Sequence, residues 1–402
     1  MNELMPRDHY QIFSEAKIGD LIIPNRFVRS ATMDMSLWDL RRVTAPVLDL
    51  YADLARGGVG LIITGDLMAV PDGWLEKPES LRAGNSYQEV RVQGLGDLVD
   101  VVRATAPDCK IIAQTTASYQ GVAPSAIPSP FTDEMSTPLT REQIKIMVDC
   151  VIDAIVGLQK EGFDGVQLHA AHGGLLSQFL SPYSNRREDE YGGTVENRAR
   201  IVKEIVSGAR DQVGDFLILI KMNGTDYLEG GVDEHNFPAL AKEVERCGID
   251  AVEVSGGTWD CLVRPQAELG FRPVPAAESH TRIQAPEKQS YFLKYAETLE
   301  LDIPVILVGG NRDVERIEEI VRQNRVDFIS MCRPLISEPG LVNRWREGRG
   351  GSGTDCISCN ACIYDLWHHP KTETAWVSYC LVKHNRAGVK DAQRWLKSFG
   401  RK

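Results

Sequence analysis

The chain has 402 residues, 43% of them hydrophobic and 25% charged, which is typical of a globular protein with a large core. Its formal net charge of −11 argues against a nucleic-acid-binding protein, because phosphate recognition needs a basic surface. No apolar run approaches the roughly 18 residues of a membrane span. The start, MNELMPRDHY, lacks the pattern of a signal peptide, so we expect a cytoplasmic protein with no membrane partner.

Short apolar segments rich in β-branched residues recur along the chain, with longer amphipathic segments between them. They are too short for free helices and too apolar for half-exposed strands, which predicts parallel strands buried on both faces. In chain order these segments are FVRSAT (27–32), VGLIIT (59–64), KIIAQT (110–115), DGVQLH (164–169), LILIKM (217–222), AVEVSG (251–256), VILVGG (305–310) and DFISMC (327–332).

Helical patterns lie between the strands, among them residues 44–58, 141–162 and 233–248, and each of these ends in glycine. Eight strands alternating with helices predict a (β/α)8 TIM barrel. A doubly wound sheet is the alternative, but no G-x-G-x-x-G follows the first strand.

The composition changes at GRGGSGT (348–354), so we expect a barrel over residues 1–347 and a C-terminal extension over 348–402. Two insertions, residues 116–139 and 257–289, follow the third and sixth strands. They lie on the face where barrel enzymes keep their active sites.

Residues at the carboxyl ends of barrel strands share one face. There Gly309 and Gly310 follow strand seven and Arg333 follows strand eight, which predicts an anion cradle. A glycine turn with a surface arginine is the plainer alternative. Gln114 matches the donor–acceptor edge of a pyrimidine ring, and Lys221 offers a fixed positive charge, so the face suits a flavin.

His169 and His172 are spaced H-x-x-H, which lacks the glutamate and the i, i+4 spacing of a zinc-binding helix. A metal site is therefore disfavoured, and a purely structural pair or a pair that holds a substrate oxygen stays open.

Four segments match one enzyme family in order and position. They are PNRFVRSAT (24–32), HAAHGGLLSQFLSPYSNRREDEYGGTVENRAR (169–200), KMNGTDYLEGG (221–231) and VGG with SMCRPLISEPGL (308–341). Together they resemble the old yellow enzymes, FMN-dependent ene-reductases built on a TIM barrel. The resemblance covers most of the chain, from about Ile18 to Trp345.

The resemblance implies an FMN site made by residues from most of the strands. Ala31 and Thr32 would contact the flavin through backbone, Met33 would lie beside its N5–O4 edge, and Gly65 would lie against the ring. Gln114 would bind the pyrimidine edge and Lys221 would lie near N1 and the C2 carbonyl. The phosphate ligands would be Gly309, Gly310, Cys332 and Arg333.

The resemblance also implies that His169 and His172 hydrogen-bond an oxygen of a conjugated small molecule, whose C=C bond is reduced with NAD(P)H as reductant. The tyrosine that supplies the second proton in this family is replaced by Gly174. Tyr119, Tyr227 or water are the substitutes we consider. A redox-neutral isomerase or an amine demethylase would need no such donor. Assembly into a homo-oligomer is left open.

Four of the nine cysteines cluster near the end of the chain: Cys356, Cys359, Cys362 and Cys380. CISCNAC resembles the 4Fe-4S motif of the dienoyl-CoA reductase branch, although the spacing departs from it. C-x2-C-x2-C occurs in ferredoxin-type sites, and four thiolates also suit zinc, so iron–sulfur, zinc and unligated thiols stay open. A cluster would also fit a different class of protein, an electron-transfer flavoprotein without turnover of its own.

Overall fold

The computed structural model describes residues 6–34, 42–69, 92–117, 121–129, 134–273, 276–368, 379–384 and 386–398. Tyr119, one of the substitutes for the missing tyrosine, lies outside these ranges. Among the described helices, none combines the length and the apolar character that crossing a membrane requires.

Eight parallel strands form a closed barrel, in which each strand pairs with the next and the eighth pairs with the first. This confirms the predicted (β/α)8 barrel and rules out the doubly wound sheet. The strands are β1 (Phe27–Arg29), β2 (Leu61–Met68), β3 (Lys110–Thr116), β4 (Gly165–Ala170), β5 (Leu217–Asn223), β6 (Ala251–Ser255), β7 (Val305–Leu307) and β8 (Phe328–Met331).

A helix follows each strand. These helices are α1 (Ala45–Arg56), α2 (Leu95–Thr105), α3 (Arg141–Lys160), α4 (Val195–Val213), α5 (Phe237–Arg246), α6 (Leu293–Ala296), α7 (Val314–Arg322) and α8 (Leu341–Arg346). The helix predicted from residue 233 begins only at Phe237. The Asp233 carboxylate accepts hydrogen bonds from the N–H groups of His235 and Asn236, and this local turn precedes the helix.

The lower half of the barrel is filled with apolar side chains, including Leu61, Ile63, Ile112, Leu217, Leu219, Ile306 and Phe328. A hairpin of Ala16–Ile18 and Leu21–Ile23 adds Ile18 and Ile23 to this cluster, so the amino end of the barrel is packed. The carboxyl ends of the strands, which we call the barrel mouth, are the end available for a ligand.

The C-terminal extension packs onto the barrel through its first residues. The N–H of Val314 donates to the Ser352 carbonyl at 2.9 Å, and the Trp345 indole donates to the Gly353 carbonyl at 3.1 Å. Beyond them lie α9 (Ala361–His368), α10 (Leu381–His384) and α11 (Arg386–Ser398), which share a small apolar cluster.

Candidate active site

A chain of buried polar side chains crosses the barrel mouth. Gln114 Nε2 donates to Gln167 Oε1 at 2.7 Å, and Gln167 Nε2 donates to Glu253 Oε2 at 2.7 Å. Lys221 Nζ lies 3.3 Å from Glu253 Oε2 and donates to Ser30 Oγ at 3.0 Å. Strand register sets these contacts, because Gln114 pairs with Gln167 and Lys221 with Glu253 in the ladders.

Three members of this polar set, Ser30, Gln167 and Glu253, were not named in the sequence analysis. The most consequential of them is Glu253. It is fully buried on β6, where it accepts from Ser30 Oγ at 3.0 Å as well as from Gln167 and Lys221. The signal was present in AVEVSG, since a carboxylate inside an apolar strand has to find a partner. Lys221 is thus paired with Glu253 within the protein.

The rings of the two histidines meet edge to face, with centroids 5.1 Å apart, and His169 is paired in register with Lys221. His169 lies in β4, and His172 follows in a left-handed conformation with φ of 60°. Two contacts fix His172: its N–H donates to Asn223 Oδ1 at 3.1 Å, and its Nε2 lies 2.7 Å from Ser255 Oγ. The ends of β5 and β6 therefore position the pair.

Both imidazoles are neutral at physiological pH. Burial, with a smaller effect of the Lys221 charge, lowers the pKa of His169 to about 3, and burial lowers that of His172 well below its usual value. Nδ1 of His169 is buried without a hydrogen-bond partner among the described residues. A buried, unpartnered polar atom of this kind fits a site that a polar ligand completes.

The two glycines after His172 have different structural reasons. Gly173 has φ of 82°, and a Cβ there would lie 2.9 Å from Trp259 Cδ1, so both conformation and packing require glycine. Gly174 has φ of −61°, and a Cβ there would come no closer than 3.5 Å, to the Ala171 carbonyl. Neither its backbone nor the space around its Cβ demands a glycine at 174.

Tyr227 packs against Phe271, with ring centroids 4.7 Å apart, and has φ of 54°. Burial raises the pKa of its hydroxyl well above the usual value, so the group keeps its proton. Its delivery of that proton to a substrate stays a prediction.

The residues predicted to contact the flavin ring lie in closely packed backbone segments. Thr32 donates to Cys332 Sγ at 3.2 Å, which joins the ends of β1 and β8. A Cβ on Gly65 would lie 2.7 Å from the Thr32 carbonyl oxygen. The backbone of Ala31, Thr32 and Met33 therefore passes so close to residue 65 that glycine is required at that position. Contacts of these residues with a flavin stay predictions.

The predicted phosphate residues lie together after β7 and β8. Gly309 and Gly310 have φ of 99° and 80°, and a Cβ on either would meet the ring of Phe292 or Tyr291 within 2.8 Å. Arg333 is buried. The alternative of a glycine turn with a surface arginine is therefore wrong for this side chain. Its hydrogen bonds lead to the C-terminal extension, as described below.

The four clustered cysteines line one cavity, together with Arg333 and Asn360. Burial raises the pKa of the Cys359 and Cys362 thiols, and the neighbouring cysteines add to the effect. The described ranges contain no group of three or more His, Cys, Asp or Glu side chains that could hold a metal ion. An iron–sulfur cluster or a zinc ion at these cysteines therefore stays a prediction.

Residues 11–351 match the NADH:flavin oxidoreductase / NADH oxidase family. The chain belongs to this family. An NADPH dehydrogenase of Clostridium acetobutylicum is 30% identical over 343 residues, which cover 83% of this chain and 93% of the relative. These matches confirm the resemblance to the old yellow enzyme family of flavin oxidoreductases.

Longer relatives match as well. NADH oxidase of Thermoanaerobacter brockii is 32% identical over 368 residues, covering 88% of this chain and 53% of the relative. The structure of a 2-naphthoyl-CoA reductase complex superposes with a TM-score of 0.74 at 23% identity, covering 95% of this chain and 58% of that one, which confirms the fold. The chain thus spans about half the length of the first curated relatives it matches.

Proposed function

We propose that this chain reduces an activated C=C bond in a conjugated carbonyl-type small molecule, with FMN as cofactor and NAD(P)H as reductant. The observation that carries the proposal is the neutral histidine pair at the barrel mouth. His169 is paired in register with Lys221 of the buried lysine–glutamate pair, and the Nδ1 of His169 has no partner among the described residues.

The residues of the mouth fit a flavin. Gln114, Lys221 and the backbone at Thr32 would face the pyrimidine side of such a ring, and Gly309, Gly310 and Arg333 would hold its phosphate. When bound, FMN supplies hydride transfer, taking a hydride from NAD(P)H and passing it to the β-carbon of the substrate.

The histidines bind and polarise the substrate. A neutral imidazole N–H donates a hydrogen bond to the carbonyl oxygen, where negative charge develops as the β-carbon is reduced. Keeping both rings uncharged preserves one donor and one acceptor nitrogen on each. The Ser255 hydroxyl fixes the orientation of His172, and partial burial of both rings limits competition from water for the substrate oxygen.

The proton for the α-carbon has no side-chain donor at Gly174. Since neither backbone conformation nor the space around its Cβ requires glycine there, we infer that the missing side chain leaves room for substrate and that water or another side chain delivers the proton. A Gly174→Tyr variant tests this directly. General acids contribute about 10²–10⁴-fold, so faster reduction of a small enone is expected if the hydroxyl reaches the α-carbon.

We also propose that the cysteine cavity holds a 4Fe-4S cluster rather than a zinc ion. The four cysteines line one cavity, and buried Arg333 in its lining offers positive charge to a negatively charged, thiolate-ligated cluster. Iron and sulfide analysis of anaerobically purified protein tests the proposal. About four of each per chain are expected, and zinc without iron would contradict it.

The experiment that tests the reaction is anaerobic stopped-flow with the full chain. The flavin is reduced with NAD(P)H and then mixed with cyclohex-2-enone, and the flavin absorbance is followed. We expect reoxidation by the enone. Because loss of one oxyanion donor costs about 10²–10³-fold, His169→Ala or His172→Ala should slow that step by this order.

Other outcomes identify the alternatives. Formation of a rearranged product while the flavin stays reduced would identify an isomerase. Reduction of the flavin by a methylated amine without NAD(P)H would identify an amine demethylase. Reoxidation only by a protein partner would identify an electron-transfer flavoprotein, and each of these results would contradict the proposed reductase.

A further inference from the structure

Arg333, the residue predicted to grip the flavin phosphate, is held by the C-terminal extension. It begins the short helix Arg333–Ser337 after β8. Its Nη1 donates to Asn360 Oδ1 at 2.6 Å and to the His280 carbonyl at 2.8 Å. Asn360 belongs to residues 355–362, which we call the cysteine loop because they carry the first three clustered cysteines.

Burial, backbone conformation and a second hydrogen bond all hold Asn360 in this contact. It is 1% exposed and has φ of 59°, a left-handed conformation that asparagine tolerates better than most residues. Its amide nitrogen donates to the Ser279 carbonyl at 2.7 Å, so its amide oxygen faces the guanidinium. The side chain thereby joins Arg333 to the insertion that follows β6.

A second arginine repeats the arrangement. Arg312, two residues after Gly310, is 8% exposed and donates to Ser358 Oγ at 2.6 Å and to the Cys356 carbonyl. Both arginines that follow the ends of β7 and β8 are thus bonded to the cysteine loop. The loop and the predicted phosphate cradle share the same buried hydrogen bonds.

The geometry of arginine makes such contacts consequential. A guanidinium is planar, so two acceptors on Nη1 also set the direction of its remaining N–H groups. Bidentate recognition of a phosphate depends on that direction. Supporting contacts of this type change ligand affinity although they never touch the ligand.

We propose that Asn360 is a positioning residue for the flavin phosphate, and that order in the cysteine loop and affinity for that phosphate are coupled through Asn360 and Arg333. The inference rests on the proposed function, since it takes the phosphate of FMN to be the ligand of Arg333. Because coupling between two sites is reciprocal, bound phosphate must stabilise the cysteine loop in turn.

The test compares FMN with riboflavin, which lacks the phosphate, on the full chain stripped of flavin by dialysis. Asn360→Gly keeps the left-handed backbone and removes the acceptor, whereas Asn360→Asp keeps an acceptor for Arg333. We expect the dissociation constant of FMN to rise about tenfold in Asn360→Gly, with riboflavin unchanged and most of the affinity kept in Asn360→Asp.

Asn324→Gly is the matched control, because Asn324 also has a positive φ, of 53°, and lies exposed between α7 and β8. It should change neither dissociation constant. An equal loss of FMN and riboflavin binding in Asn360→Gly, or no loss of either, would overturn the inference.

The reciprocal effect is measured at the backbone of the cysteine loop, because its thiols would be ligands of the proposed cluster. Hydrogen–deuterium exchange of residues 355–362 should slow when FMN is bound and not when riboflavin is bound, and Asn360→Gly should abolish the difference. Equal protection by both flavins would overturn the coupling. Wild-type protein that binds no FMN would instead remove the proposed function, which separates the two failures.

Discussion

The barrel mouth and the cysteine loop are positioned by different kinds of contact. In the mouth, Gln114, Gln167, Lys221 and Glu253 meet because neighbouring strands are paired in register. In the cysteine loop, two arginines from the ends of β7 and β8 bind atoms of a segment distant in sequence. We therefore expect the mouth to lose its geometry only when the barrel unfolds. The cysteine loop, in contrast, can change its conformation while the barrel stays folded.

The largest effect is expected from Glu253→Leu in the mouth. Without the carboxylate, the buried Lys221 charge has no ion-pair partner, which typically costs about 3–5 kcal/mol of the free energy of unfolding. Urea unfolding measures the loss. The double variant with Lys221→Met should recover most of it.

The exposed ion pair of Arg264 and Glu268, 2.7 Å apart, provides the control. Glu268→Ala should cost less than about 1 kcal/mol, as is usual for exposed pairs. A loss in Glu253→Leu no larger than this would show that the polar chain does not stabilise the mouth.

A second buried carboxyl near the mouth, Asp34, makes stability depend on pH. Burial raises its pKa to about 6, and its Oδ1 is buried without a partner among the described residues, as suits a protonated carboxyl. The pKa of Asp34 in the folded protein lies above the usual 3.8, so its carboxyl binds a proton more tightly in the folded state. The stabilisation from this proton is fully present below pH 3.8 and is lost as pH rises through about 6.

Asp34→Asn removes that dependence while keeping an acceptor for the Tyr51 hydroxyl. The free energy of unfolding of the variant, relative to wild type, should rise by about 2–3 kcal/mol between pH 4 and pH 7. Urea unfolding at a series of pH values checks this. A difference that stays constant over the range would contradict it.

Ser358→Gly tests the contacts that hold the cysteine loop. It removes an acceptor of Arg312, and hydrogen bonds to charged groups contribute about 1.5–3 kcal/mol. Relief of the positive φ of 53° at Ser358 offsets part of the loss, so we expect about 1 kcal/mol. Barrel circular dichroism should be unchanged, and unfolding of the barrel would contradict the proposed independence of the mouth.

The two glycines after His172 differ in their expected effects, and that of Gly174→Ala is the smallest of all. Gly173→Ala forces a side chain into a left-handed conformation against Trp259, which costs about 1–2 kcal/mol. Gly174→Ala should leave stability within about 0.5 kcal/mol of wild type. Thermal unfolding of the pair checks the difference, and equal losses would mean that Gly174 is a structural requirement after all.

The same contrast explains what the sequence could predict. The eight strands are short apolar runs that alternate with amphipathic segments, so the barrel was predictable and is confirmed. The positions of His169, Lys221 and Gln114 at or near the ends of their strands follow from the same runs. Glu253 carried a signal, a charge inside an apolar strand, but only the ladder shows that it faces Lys221. Local sequence therefore located the face without specifying all its partners.

The cysteine loop could not be placed in this way. Nothing in CISCNAC indicates that Asn360 receives a hydrogen bond from Arg333, because the contact joins residues 27 positions apart through the fold. The predicted boundary at residue 347 separates two regions that share buried hydrogen bonds. Long-range contacts of arginine and asparagine side chains have no periodic signature from which they could be predicted.

Product analysis with NAD(P)H deuterated at the transferred position tests the central claim most directly. If the histidine pair polarises a conjugated carbonyl, cyclohex-2-enone should yield the saturated ketone with deuterium at the β-carbon, and His169→Ala with His172→Ala should abolish it. No saturated ketone from the wild-type protein, or a rearranged enone free of deuterium, would contradict the account.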